Sequence, residues 1–152
     1  MILVKELEKA WHGDPWHGTN AHELIHAANP AKVFDKPVPG AHSIAEMVLH
    51  MCAWTEEAAR RLEGRAAQEP DRGDWPDPTV YSWEELIKMF DDANKKLVAL
   101  VNELKEDDLN QPVKDERVPA LGTGVSNAEL ISGIVQHHAY HSGQIALLLK
   151  FG

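Results

Sequence analysis

Two histidines four residues apart, His137 and His141, are the residues of this sequence whose type and spacing most directly suggest chemistry. Side chains at i and i+4 point the same way, one turn apart on a helix, as two ligands of one cation must. Neutral imidazole suits zinc, nickel, copper or iron. From spacing alone, a pair of core or partly exposed histidines explains the pattern equally well, because the chain contains 9 histidines.

The element that must position this pair is a helix predicted from Ser126 to Lys150. A capping box opens it, because Ser126 and Glu129 can each satisfy the backbone amide of the other. A helical period predicts one buried stripe, formed by Leu130, Ile134, His137, His141, Ile145 and Leu148. His138 flanks this stripe, so we interpret it either as a residue that supports a metal ligand from behind or as a surface residue.

A second helix offers a third imidazole. The capping box Ser43–Glu46 predicts a helix that runs to Glu63 and ends at Gly64. Its expected buried stripe consists of Ile44, Met47, Met51, Trp54, Ala58 and Leu62. His50 lies at the flank of this stripe, so its side chain can reach a bundle interior. A catalytic metal typically takes three protein ligands and leaves one position for water or substrate.

Two further long helices complete the predicted architecture. Residues 2–12 have helical spacing and end at Gly13, and a third capping box at Ser82 begins a strongly periodic helix that reaches Leu104. We therefore predict an all-α four-helix bundle, with an extra short helix in the first long connection. That short helix covers residues 21–28, and the remaining connections are predicted at residues 31–41, 65–81 and 107–124.

Composition limits the class of protein. The 152 residues suit one domain, 1–152, and the 43% apolar content without a long uncharged apolar run predicts a soluble protein with no membrane span. The early charges argue against a signal peptide, and Cys52 is the single cysteine, so a cytoplasmic location is expected. A net charge of −9 opposes nucleic acid as a partner.

The segment from His22 to His26 matches H-E-x-x-H, the motif in which two histidines of a protease helix bind zinc. The predicted helix is too short for a zinc protease, because Pro30 stops it, and no further histidine follows at the offsets of the extended motif. Helix-face histidines near an entrance are the preferred interpretation of His22 and His26.

Several other residues have two interpretations. His12 and His17 stand beside tryptophans and either line a pocket mouth or are surface histidines. Cys52 is expected to be buried packing rather than a nucleophile. Glu46 and Gln144 either orient metal ligands by hydrogen bonding or are solvated surface residues.

Four motifs, in order along the chain, resemble the DinB-like (DinB/YfiT) superfamily from about Trp11 to Leu149. They are Pro15-Trp16-His17-Gly18, Pro39 through Glu46 with His50 and Trp54, Asp74-Trp75-Pro76, and His137-x-x-Tyr140-His141-x-Gly143-Gln144-Ile145. The resemblance implies an up-down-down-up four-helix bundle that binds a divalent metal, zinc or nickel by preference, through His50, His137 and His141. His138 departs from this pattern, since the family would have an acidic residue there.

The family also includes transferases and isomerases that use low-molecular-weight thiols such as bacillithiol or mycothiol. The first hypothesis is therefore a metal-dependent thiol S-transferase with a small-molecule substrate, whose electrophile binds in a pocket lined by Trp16 and Trp54. The alternatives are a metal-dependent hydrolase and a non-catalytic metal-binding bundle, the latter compatible with a homodimer. No catalytic protein base is assigned. A fourth protein ligand, from His138, Glu46 or a loop histidine, would mark a structural site.

Overall fold

The structure, a computed structural model, describes residues 1–114 and 124–152, and its regular elements in these ranges are helical. The all-α prediction is confirmed. None of the described helices combines the length and apolar character needed to cross a membrane. The α-helices are α1 (Ile2–His12), α2 (Ala21–Ala27), α3 (Ile44–Leu62), α4 (Trp83–Glu103), α5 (Glu106–Leu109) and α6 (Asn127–Leu148), and short 3-10 turns cover Pro78–Val80 and Leu149–Phe151.

Side-chain caps begin α2, α3, α4 and α6. Each predicted capping box forms, pairing Ser43 with Glu46, Ser82 with Glu85 and Ser126 with Glu129 at N–O distances from 2.7 to 3.2 Å. Asn20 caps α2 by accepting from the Glu23 amide, and its own amide donates to the Gly13 carbonyl at the end of α1. Each cap stabilises its helix by about 1 kcal/mol and fixes where the chain turns into it.

Helix directions follow from the two core clusters. Ala58 and Ala59 near the end of α3 pack with Leu97 and Val101 near the end of α4, whereas Met47 at the start of α3 packs with Leu86 at the start of α4. Helices α3 and α4 are therefore parallel. Helices α1 and α6 run the opposite way, because residues near their starts pack at the end of α3, namely Val4, Leu7, Ile131 and Ile134. The order is up-down-down-up, as predicted.

Two parallel helices in succession require the chain to return along the bundle between them. The 19 residues of α3 span ~28 Å, which residues 63–82 must recross. Buried Glu57 fixes the start of this return connection by accepting from the Gln68 amide and from Arg61. Further along, Arg72 pairs with Glu56 of α3 at 2.7 Å. The connection therefore lies against α3 and passes His50.

The predicted buried stripes were too narrow. Ile131 and His138 of α6 are fully buried, whereas Leu130 and His137 are half-buried. The reason is that α6 packs against α1, α2 and α3, so its buried arc is wider than one stripe. Helix α5 begins at Glu106, just before the stretch 107–124 that was predicted as a connection, and covers its first residues. Residues 115–123 of that stretch lie outside the described residues.

Replacing Glu57 should destabilise the fold far more than replacing its neighbour Glu56. Glu57 is 2% exposed, and its buried carboxylate accepts hydrogen bonds from Arg60, Arg61 and the Gln68 amide. We expect Glu57→Gln to lower the free energy of unfolding by about 3 kcal/mol. Glu56→Gln breaks the exposed pair with Arg72 and keeps an amide oxygen that can still accept from the Cys52 thiol, so it should cost less than about 1 kcal/mol. Urea unfolding of both variants measures the difference, and equal losses would contradict this account of the return connection.

Candidate metal centre

Three imidazoles meet between α3 and α6. The Nε2 atom of His137 lies 2.9 Å from Nε2 of His50 and 3.1 Å from Nε2 of His141. His50 and His141 are 5% and 4% exposed. The antiparallel packing of α3 against α6 brings His50 opposite the i, i+4 pair, so the structure places the three predicted residues around one point.

Hydrogen bonds fix two of the three tautomers. His50 Nδ1 donates to the Asp74 carbonyl at 2.6 Å, and His141 Nδ1 donates to Gln144 Oε1 at 2.6 Å. The Nε2 atoms of His50 and His141 therefore carry lone pairs that point toward His137. A single proton on His137 Nε2 can satisfy only one of them, whereas one cation accepts lone pairs from all three. The donor set thus fits a divalent metal ion.

The site keeps its imidazoles neutral. Burial, together with the positive charges that His141, His138 and His50 would carry, lowers the pKa of His137 to about 3. Burial also lowers the pKa of His141 to about 4, although the bond to Gln144 opposes this shift. The pKa of His50 is lowered by burial too, against the opposing bond to Asp74. Neutral imidazole is the form that ligates metals.

An aromatic stack covers the His50 side of the site. Trp75 lies flat on His50, with ring centroids 3.8 Å apart and planes 5° apart, and His42 also stacks on Trp75, at a centroid distance of 3.5 Å. The neighbouring Asp74 accepts a hydrogen bond from Trp54 Nε1 at 2.7 Å, which anchors this segment to α3. The return connection therefore supplies both a hydrogen-bond acceptor and a cover for His50.

Sequence reasoning assigned no role to Asp74, Trp75 or His42, although all three lie within motifs that carried the family resemblance. Residues 65–81 were interpreted only as a connection. The Asp-Trp-Pro motif was the sequence feature that could have indicated this role. A tryptophan beside an aspartate in a connection suggests that the connection packs against another part of the protein.

His138 is neither a surface residue nor a support for the triad. It is fully buried and its Nε2 donates to Asn94 Oδ1 of α4 at 2.8 Å. The amide of Asn94 donates in turn to the Phe90 carbonyl, which fixes the orientation of Asn94. One position along the helix rotates the side chain by ~100°, so His138 faces the core while His137 faces α3.

Trp16, predicted to line the pocket with Trp54, is instead fully exposed. Trp54 does line a pocket of about 240 Å³ that reaches His137. Trp54 lies on α3 one turn beyond His50, whereas Trp16 lies in the connection between α1 and α2. The other pocket residues are Arg61, Val125, Glu129, Leu130, Gly133 and Ile134.

The remaining candidates lie apart from the triad or act on one member of it. Gln144 holds His141, whereas the carboxylate of Glu46 bonds to the Ser43 amide and to Lys36. His12 and His17 are exposed. Cys52 is buried, and burial raises the pKa of its thiol to about 12, as expected for packing rather than nucleophilic attack.

A helical bundle with a cluster of three histidines, two of them buried, is the class of protein that the fold and the site define. The family model described as the DinB superfamily matches residues 16–145, so the chain belongs to the DinB superfamily. The crystal structure of a DinB-like protein from Bacillus subtilis, YjoA, is similar to it with a TM-score of 0.68 and 18% sequence identity. That similarity covers 99% of this chain and 90% of YjoA and concerns the fold. No curated protein matches the sequence.

Stability of the metal-free protein should fall as the pH decreases from about 6.5 to 5. Unfolded histidines have a pKa of about 6.5, whereas His137 and His138 titrate at about 3 and His141 at about 4 when folded. In this pH window these histidines are protonated in the unfolded chain but remain neutral in the folded chain. Each of these histidines then lowers the free energy of unfolding by up to about 1.4 kcal/mol per pH unit, a slope that is approached about one unit below pH 6.5.

Urea unfolding in the presence of a chelator, repeated at several pH values, measures this slope. His12→Gln is the matched control because His12 is exposed, and it should leave the slope unchanged. Equal stability at pH 6.5 and pH 5 would contradict burial of neutral imidazoles.

Proposed function

We propose that this protein is a metal-dependent thiol S-transferase that acts on a small electrophile. In this proposal His50, His137 and His141 hold a zinc or nickel ion. The observation that carries it is the meeting of three neutral imidazole nitrogens, about 3 Å apart along the contacts to His137, beside a mainly apolar pocket.

The number of donors supports a catalytic rather than a structural ion. Among the described residues, the donor atoms that converge at this point come from these three histidines. Two of the residues considered as a fourth ligand are engaged elsewhere, since His138 bonds to Asn94 and Glu46 bonds to Lys36. Structural zinc sites are typically closed by four protein ligands, whereas catalytic sites use three and leave a position for a substrate.

A divalent metal in this position would lower the pKa of a thiol bound to it, so that the thiol is present as the thiolate near neutral pH. The protein contributes orientation. The Asp74 carbonyl and Gln144 hold two of the rings by their Nδ1 atoms, and Trp75 covers His50. Fixed ring orientation reduces the reorganisation needed when a metal or substrate binds.

The pocket beside His137 supports a small electrophile with an apolar body. Its volume is about 240 Å³, and apart from Arg61, Glu129 and His137 its lining consists of Trp54, Val125, Leu130, Gly133 and Ile134. An electrophile in this pocket would lie next to the triad. Trp54 adds an aromatic side chain to this lining, against which an apolar group can pack.

The proposal is tested by metal analysis combined with thiol titration of the wild type and His141→Ala. The wild type should bind one zinc or nickel ion through the triad, and a low-molecular-weight thiol should change the absorption spectrum of the cobalt- or nickel-loaded protein. His141→Ala should lose at least tenfold in metal affinity, together with the spectral response and thiol transfer to a model electrophile. His12→Ala, which removes an exposed histidine, should behave as the wild type.

The outcomes separate the competing functions. Absence of bound metal in the wild type would overturn metal-dependent chemistry altogether. Bound metal without a thiol response would exclude the transferase. Ester hydrolysis that needs the metal and no thiol would then establish the hydrolase, and its absence would leave a non-catalytic metal-binding bundle.

Gln144 should contribute to metal affinity without being a ligand. Its Oε1 accepts from His141 Nδ1, which directs the Nε2 lone pair toward the shared point. Gln144→Leu removes this acceptor, and we expect a 10- to 100-fold weaker metal affinity. Gln136→Leu is the matched control on the same helix, because Gln136 bonds only to Ser132 on the exposed surface among its described contacts. Competition with a chromophoric chelator measures both, and equal affinities would contradict the role assigned to Gln144.

A further inference from the structure

A second group of metal-binding side chains lies on a different part of the bundle. We propose that His22 and His26 of α2, together with Asp91 of α4, form a second site for a divalent first-row transition metal ion. This site is built by helices other than the α3–α6 pair that carries the triad, and the proposal does not depend on the proposed transferase activity.

The three side chains already converge. Nδ1 of His22 lies 3.1 Å from Oδ1 of Asp91, and Nε2 of His26 lies 3.9 Å from Oδ2. The two imidazole centroids are 4.0 Å apart. One ligand atom from each residue falls within 4.8 Å of the other two. Two imidazoles and one carboxylate form a donor set that zinc, nickel, copper and iron accept.

A hydrogen bond from a buried residue fixes the orientation of the Asp91 carboxylate. The indole Nε1 of Trp11, a residue 8% exposed, donates to Asp91 Oδ1 at 2.9 Å. The carboxylate itself is 17% exposed. Because Trp11 belongs to the core, the carboxylate is fixed by the fold rather than by the histidines. Its lone pairs toward α2 remain available, and a metal would replace the proton that now bridges His22 and Asp91.

A metal ion at this site would stabilise the short helix α2. This helix has 7 residues, too few to be stable alone, and it is capped by Asn20 at its start and followed by Pro30. A metal bound to His22, His26 and Asp91 would join α2 to α4 directly. The two histidines are 37% and 47% exposed, so the ion would exchange with solvent more readily than one in the buried triad. The H-E-x-x-H spacing thus serves a site completed by an aspartate from another helix.

Zinc titration of chelator-stripped protein tests the proposal. Four forms are compared by equilibrium dialysis with elemental analysis: the wild type, His22→Gln with His26→Gln, His141→Ala, and all three changes together. Zinc bound at this site should disappear in the double variant and persist in His141→Ala. The variant with all three changes should bind zinc neither at this site nor at the triad. The control is His12→Gln with His17→Gln, which removes two exposed histidines from the preceding segment and should retain the wild-type stoichiometry.

Thermal unfolding gives a second readout that does not depend on activity. Zinc should raise the midpoint of His141→Ala and should not raise that of the variant with all three changes. Asp91→Asn should weaken zinc binding at this site at least tenfold in the His141→Ala background. The proposal is overturned if the double variant binds as much zinc as the wild type. If only the triad fails to bind metal, the result is different. The wild type then still binds zinc, the double variant loses it, and His141→Ala retains it.

Discussion

The contact among the Nε2 atoms of His50, His137 and His141 is the interaction on which the rest of the arrangement depends. Three imidazole nitrogens in a partly buried site cannot all be protonated, because burial and mutual repulsion lower their pKa values. Without a cation, at most one proton can be shared among them. The core must therefore supply the free energy that keeps these rings together, and the Asp74 carbonyl and Gln144 direct two of the lone pairs inward.

Topology explains how a loop comes to serve this site. Since α3 and α4 run in parallel, the chain must recross the length of α3 before α4 begins, and the buried carboxylate of Glu57 directs its first residues along that helix. The same path brings Asp74 and Trp75 against His50. An antiparallel pair would be joined by a short turn at one end and would leave the face of His50 uncovered.

Neighbouring histidines of a single helix have different roles, some in the candidate metal site and one in the core. On α6, His137 and His141 face α3, while His138 between them faces the core and bonds to Asn94. On the side of α1 and α4, buried Trp11 fixes Asp91 opposite the histidines of α2. Each polar cluster thus has a neighbouring core residue or backbone carbonyl that orients it, which is how a bundle of 152 residues can present polar side chains without losing its core.

The sequence by itself determined the helices and much of their order, because capping boxes at Ser43, Ser82 and Ser126 are local signals that need no tertiary partner. Spacing also identified His137 and His141 as a pair. Tertiary structure alone decided what each side chain faces. It buried His138, exposed Trp16, placed the return connection on His50 and brought Asp91 to the short helix, because such contacts join residues distant in the chain and depend on helix packing that periodicity does not encode.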